Sequence, residues 1–302
     1  MTDLTKKHIY VTMNYTVIKI IGGLGNQLFQ YAFGRAVSQH NGTELVLDVS
    51  AFKDYKLHQL FLHKFNIKGR CVRNASKPLF CGLGFVSKLL RWLKNIPAVD
   101  TSFEEDGLAF NPEYFNMDSS GYFDGYWQSE KYFLSVKYEL LNDITLRVPL
   151  SDRSVQLSSE MKKGNSVSIH IRRGDYVTNP QANKTHGVQG LDYYNNAVQY
   201  IQANVPAPIF YLFSDDNDWV RENFSWLKKA VVVDHVQKDA NYEDLVLMSQ
   251  CKHHIIANSS FSWWGAWLGE SLETIVVCPK NWFAANSGLS SIDLIPARWV
   301  SI

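Results

Sequence analysis

The feature that most constrains this chain is an alternation of short, largely apolar runs with helix-length segments. VIKII (17–21), ELVLDVS (44–50), SVSIHI (166–171), PIFYLFS (208–214), AVVVD (230–234) and HHIIAN (253–258) read as strands without a consistent polar face. A strand buried on both faces belongs to a parallel sheet covered on either side, because each parallel crossover returns the chain through a helix. The expected fold is α/β, with two facing Rossmann-like doubly wound domains and an interdomain cleft. At 302 residues the chain is long enough for two such units, and we place them at 1–154 and 155–302. The alternation is plain in the second unit. Residues 52–150 show only basic-aromatic helical segments, the aromatic-dense GYFDGYWQSEKYF (121–133) and a helix after it.

Composition removes several classes of function. The 30 basic side chains balance 29 acidic ones, so nothing in the charge favours nucleic acid as a partner. Cys71, Cys81, Cys251 and Cys278 lie far apart without C-x-x-C spacing, against a disulfide framework or a zinc knuckle and for a reducing compartment. The N-terminus lacks an apolar signal region and no run of about 18 apolar residues occurs, so a cytoplasmic protein is expected. One segment qualifies this. LFCGLGFVSKLLRWLKNI (79–96) sets large apolar groups beside Lys88, Arg91 and Lys94 at helical spacing. Such a helix is by default an amphipathic core helix; the alternative is peripheral contact with the inner face of a membrane.

Ligands of doubly wound sheets bind beyond the carboxyl ends of strands, where the distinctive loops of this chain lie. GGLGN (22–26) matches G-x-G at Gly23 and Gly25, and Asp48 ends the next strand, as in a dinucleotide site. Leu28 stands where the third glycine belongs, which argues against a nicotinamide cofactor. The general reading survives: glycines let backbone N–H groups approach a ligand, with Asn26 and Gln27 as polar handles. SIHIRRGDYV (168–177) places His170, Arg172, Arg173 and Asp175 at a strand end. Arginine is costly to bury without a partner, so either a structural ion-pair cluster or an anionic ligand is expected. In the DDND turn, Asp216 and Asp218 could hold a divalent metal on a nucleotide-sugar diphosphate, or a single carboxylate could accept from a ribose or base edge. If Arg172 neutralises a diphosphate a metal is redundant, so none is expected. ANSSFSWWGAWL (257–268) offers two serines to phosphate oxygens or as helix caps, with tryptophans one turn apart as packing.

Together, HIRRGDY, GGLGNQLFQYA, GYWQSEKYF and NSSFSWWGAWL resemble in content and order the bacterial α-1,2-fucosyltransferases of glycosyltransferase family 11, from about residue 17 onward. The resemblance implies a GT-B-type fold and transfer of fucose, with inversion, from GDP-β-L-fucose to the 2-hydroxyl of a galactose without a required metal. It implies that Arg172 grips the diphosphate, that His170 and Arg173 line the same pocket, and that Asp175 orients the arginines. One of Asp215 and Asp216 would lie near the guanosine. Ser259, Ser260 and Phe261, with Asn258 beside them, would close over the phosphates. Asn26, Gly23 and Gly25 would face the sugar. Inversion calls for a base near the acceptor hydroxyl: His186 in THGV, Asp124, or the phosphate itself. Tyr126 or Trp127 would stack on the acceptor or belong to the core. The expected acceptor is a galactose-terminated, lipid-linked oligosaccharide of surface polysaccharide (O-antigen) synthesis. The rivals are a metal-dependent glycosyltransferase using the DDND turn, an NAD-dependent oxidoreductase and a non-enzymatic sugar-binding module.

Overall fold

The computed structural model describes residues 14–73, 77–99, 101–116, 120–234 and 240–302. Two wholly parallel sheets organise them. The first comprises β1 (Tyr15–Lys19), β2 (Glu44–Asp48), β3 (Arg70–Val72), β4 (Thr101–Glu104) and β5 (Gly121–Asp124), in the order β3-β2-β1-β5-β4. The second comprises β6 (Ser166–Ile171), β7 (Ile209–Ser214), β8 (Ala230–Val232), β9 (His253–Ile255), β10 (Val276–Cys278) and β11 (Val300–Ser301), in the order β11-β10-β9-β6-β7-β8.

Burial on both faces explains why the strands carry no alternating pattern. In β1, Val17 packs with Val46, Phe80 and Tyr122, whereas its neighbour Ile18 packs with Leu47, Phe123 and the helix Leu24–Asn41 on the opposite face. All six residues of β6 are buried. The strands that the sequence pattern did not reveal are short, exposed or hidden in an aromatic-rich segment: β3 and β4 are edge strands with little burial, β11 has two residues, and β5 is four residues at the start of GYFDGYWQSEKYF. The helix Asp152–Met161, across which the expected division at residue 154 falls, packs by Leu157 and Met161 against Tyr211 and Phe213 of the second sheet.

The two halves share one core. Phe29 of the first helix lies 4.6 Å from Trp263 and 5.2 Å from Trp264 of the helix Ser260–Gly269. Phe133 stacks on Trp264 at 5.3 Å. Trp263, Trp264 and Trp267 are fully buried, so the tryptophans fasten one half to the other.

In the first sheet β1-β2-β3 and β4-β5 both advance toward the β3 edge, with β1 beside β5; in the second, chain order reverses between β6 and β9. Loops that leave such a pair of strands run in opposite directions and open a crevice between them. The loop Gly22–Gly23 and the turn Gly125–Tyr126 follow the neighbouring strands β1 and β5 at the carboxyl end of the first sheet; Arg172 and the Asn258–Ser259 loop border the crevice of the second.

Candidate active site

Gly22, with φ +87°, turns the chain from β1 into the helix Leu24–Asn41, whose N-terminus lies at the carboxyl end of the first sheet. Gly23 has extended backbone and faces the His58 ring, which would lie 3.6 Å from an added Cβ. Gly25 sits against the opposite half: a Cβ there would come 2.4 Å from the carbonyl carbon of Ser260 and 2.5 Å from the amide nitrogen of Phe261. The N-termini of helices Leu24–Asn41 and Ser260–Gly269 therefore converge. Each carries unpaired N–H groups and partial positive charge, so the pair favours an anion.

Ser259 caps its helix, its Oγ accepting from the Phe261 amide at 3.4 Å. Asn258 is buried and structural on one side. Its Nδ2 donates to the carbonyls of His186 (2.8 Å) and Trp282 (3.0 Å), while its buried Oδ1 has no partner among the described residues. Asn26 Oδ1 accepts from Gln128 Nε2 at 2.8 Å, tying the glycine loop to the segment after β5, whereas Gln27, expected as a second polar handle, is fully buried and spends its amide on the Gly22 and Gln59 carbonyls and the Phe61 N–H.

The arginine loop rises from β6 beside these helix ends. Arg172 donates to Asp215 (2.6 Å) and Asp175 (2.6 Å), and its guanidinium lies 5.6 Å from the Tyr176 ring centroid. Arg173 pairs with Asp216 at 3.1 Å and stacks over Trp219 at 3.9 Å. Asp215 Oδ1 accepts from the Arg173 and Gly174 amides, at 2.9 and 3.0 Å, so this carboxylate shapes the turn. Asp216 also caps the helix Asn217–Asn223, and Asp218 pairs with Arg221. Both acids of the D-x-D spacing are thus already matched to arginines. Among the described residues no three His, Cys, Asp or Glu side chains come together as a metal site.

Two imidazoles flank Arg172. His170 is buried beneath it, 5.6 Å from Phe261; its Nδ1 has no partner among the described residues and burial pushes its pKa down to about 4. His186 stacks flat on Tyr176 at 4.8 Å with Nδ1 sealed from solvent, and burial lowers its pKa as well. Near them, from the first half, lies His58, which the sequence reading missed because nothing in HQL marks it locally. Burial, then the Arg172 charge, holds His58 below the usual imidazole range, while Asp175 opposes that shift. Beside His58, a cavity of about 490 Å³ is lined by Phe52, Tyr55, His63 and Arg73.

The expectation that Trp127 could stack on an acceptor is corrected. Trp127 is fully buried, lying parallel to Phe33 at 4.1 Å, and serves the core. Its neighbour Tyr126 is 42% exposed.

The sequence profile of Glycosyl transferase family 11 matches residues 101–302, more than half of the chain. The chain belongs to glycosyl transferase family 11. This family 11 chain is 36% identical to the alpha-1,2-colitosyltransferase of Escherichia coli, over 96% of its own length and 99% of the relative's. It is 33% identical to the O-antigen biosynthesis glycosyltransferase WbnK of Escherichia coli, over 88% and 94% of the two lengths. It is 26% identical to galactoside alpha-(1,2)-fucosyltransferase 2 of Bos taurus, over 84% and 70%. Its fold resembles that of NodZ alpha-1,6-fucosyltransferase co-crystallized with GDP, with a TM-score of 0.52 at 14% identity over 84% and 91% of the chains. As a family 11 glycosyltransferase the protein has the two-sheet GT-B architecture, with Arg172 and the paired helix ends at its centre.

Proposed function

We propose that this family 11 enzyme transfers L-fucose, with inversion, from GDP-β-L-fucose to the 2-hydroxyl of a terminal β-galactose in an O-antigen oligosaccharide, without a metal. The observation that carries the reading is the juxtaposition of Arg172 with two converging helix N-termini at the β6–β9 switch point. As the anomeric C–O bond breaks, negative charge collects on the departing β-phosphate. Donors fixed around that oxygen stabilise the transition state more than the ground state. The helix ends supply positive potential there, and Arg172, held by Asp215 and Asp175, supplies guanidinium donors; these support a reaction without a metal. The GDP of the NodZ neighbour and the transferase names of the relatives agree with a GDP-sugar donor.

The acceptor side is the first half, where Tyr126 and the cavity beside Tyr55 and His58 lie at the carboxyl end of the sheet. For the base we favour His58 over His186 and Asp124. Burial and the Arg172 charge push its pKa down, and its ring lies against Gly23 at the helix end. His186 is clasped between Tyr176 and Phe283, and Asp124 is engaged by Lys19 at 2.8 Å.

A second reading concerns the donor sugar. Colitose is L-fucose without its 3-hydroxyl, and the alpha-1,2-colitosyltransferase covers nearly the whole chain at 36% identity. A site that hydrogen-bonds the 3-hydroxyl rejects the deoxy sugar by about 10⁴-fold, whereas an apolar pocket discriminates far less. The test is calorimetric titration with GDP in EDTA, followed by kcat/KM for GDP-fucose and GDP-colitose on β-galactosides and determination of the product linkage. Binding of GDP that needs a metal, or a product with retained configuration, rejects the proposal. A preference for GDP-colitose selects the second reading. Under the favoured assignment His58→Gln lowers kcat and removes the acid-side fall of kcat that protonation of the base produces, and His186→Gln leaves that limb in place.

A further inference from the structure

We propose that the helix Phe85–Lys94 docks this protein on an anionic lipid bilayer. Around the helix, Phe85, Val86, Leu89, Leu90, Trp92 and Leu93 share one arc, and Ser87, Lys88, Arg91 and Lys94 share the other. A helix covering a core turns the apolar arc inward. Here the orientation is reversed: Arg91 is only 8% exposed and donates to the Gly82 carbonyl, whereas Phe85 is 81% exposed and Trp92 78%. Leu83, in the turn before the helix, extends the same apolar surface. This corrects the expectation of an ordinary core helix.

Charge identifies the occupant. Residues 55–99 contain nine Lys and Arg and no Asp or Glu, in a chain that otherwise balances 30 basic against 29 acidic side chains. The exposed Lys88 and Lys94 flank the apolar arc, where their stems can follow it and their ammonium groups reach lipid headgroups. A second copy of the same face would oppose lysine to lysine with no acid in the segment to neutralise them. With ten residues the helix is about 15 Å long, half of a bilayer core, so it lies in the interface. Among the described residues no helix is long and apolar enough to cross a membrane. Phe80, which packs 5.6 Å from Tyr122, and Ile96 anchor the two ends of the segment in the core of the first half, so the face is presented on a fixed support.

The full chain is to be sedimented with phosphatidylcholine vesicles, with and without phosphatidylglycerol. The expected result is binding to the anionic vesicles that weakens in high salt. The pair Phe85→Ser and Trp92→Ser should lower the partition coefficient at least about tenfold. Lys88→Glu with Lys94→Glu should do the same on anionic vesicles, since each basic residue near the surface contributes about fivefold. All four side chains are exposed, so an unchanged thermal midpoint verifies the fold of each variant. The proposal is overturned if the wild type ignores anionic vesicles, if both pairs bind as the wild type does, or if light scattering finds a dimer that Phe85→Ser and Trp92→Ser dissociate without any vesicle binding. Each outcome is independent of the sugar transferred.

Discussion

Asp215 holds Arg172 by one oxygen and the following turn by the other: Oδ2 lies 2.6 Å from Arg172 Nη1, while Oδ1 accepts the amides of Arg173 and Gly174. The carboxylate at the end of β7 therefore aims the arginine at the end of β6. Loss of a charge-assisted partner in such a site typically costs about 2–5 kcal/mol. Arg172→Ala should lower kcat/KM at least about a hundredfold. Arg172→Lys should rescue little, because a point charge cannot reproduce the two-armed geometry. Steady-state kinetics on folded variants checks this; a tenfold loss or less for Arg172→Ala ends the role.

Gly25→Ala should loosen the junction of the two halves. The new methyl would overlap backbone atoms of Ser260 and Phe261, which cannot rotate away as a side chain can. Overpacking of this kind costs about 1–3 kcal/mol, and it parts the two converging helix ends. Expected are a lower thermal midpoint and a higher KM for the donor. Gly84→Ala, where nothing lies within 4 Å, is the matched control.

Glu130 lies under the tryptophan helix and accepts from Arg298 at 2.5 and 2.8 Å and from Trp267 Nε1 at 3.0 Å. Removing Arg298 leaves a nearly buried carboxylate without its counter-charge. Breaking a fully buried pair costs about 3–5 kcal/mol. Arg298 is 42% exposed and water can replace part of it, so about 2 kcal/mol is expected for Arg298→Ala. Denaturant unfolding measures it, and Glu130→Gln in the Arg298→Ala background should recover part of the loss.

Acid should destabilise the protein well above the carboxylate range. Burial holds His170 near pKa 4, with Asp215 opposing and Arg172 adding to the shift, and holds His254 near 3. The unfolded chain takes up these protons near pH 6.5. Below that pH it binds more protons than the folded state, so stability falls as pH drops from about 6.5 towards 4, by about 3 kcal/mol for His170 alone. Thermal midpoints at pH 7.5, 6 and 5 test the sign. His170→Gln should flatten the decline, and an identical slope in that variant would reject this origin.

The apolar runs of β1, β2, β6 and β7 were legible because burial on both faces is written locally, as the absence of alternation. The strand-end loops were legible for a related reason: glycine, arginine and serine at those positions answer local demands of backbone and charge. The strands at 101–104 and 121–124 were not, since one is largely exposed and the other lies within an aromatic cluster.

By itself, the sequence determined that the sheets are parallel and doubly covered, that GGLGN, HIRRGD and NSSF stand at strand ends, and which family the chain resembles. Only the tertiary structure decided which of these loops meet. It set Gly25 on Ser260, matched Arg172 with Asp215 from 43 residues away, and brought His58 near Arg172. It also sank Trp127 into the core, left Tyr126 at the surface, and turned the apolar arc of the helix Phe85–Lys94 outward. The physical reason is one of range. Periodicity and turn chemistry depend on neighbours a few residues away, whereas the partner of a charge, or the side of a helix that faces the protein, depends on packing between segments far apart in the chain.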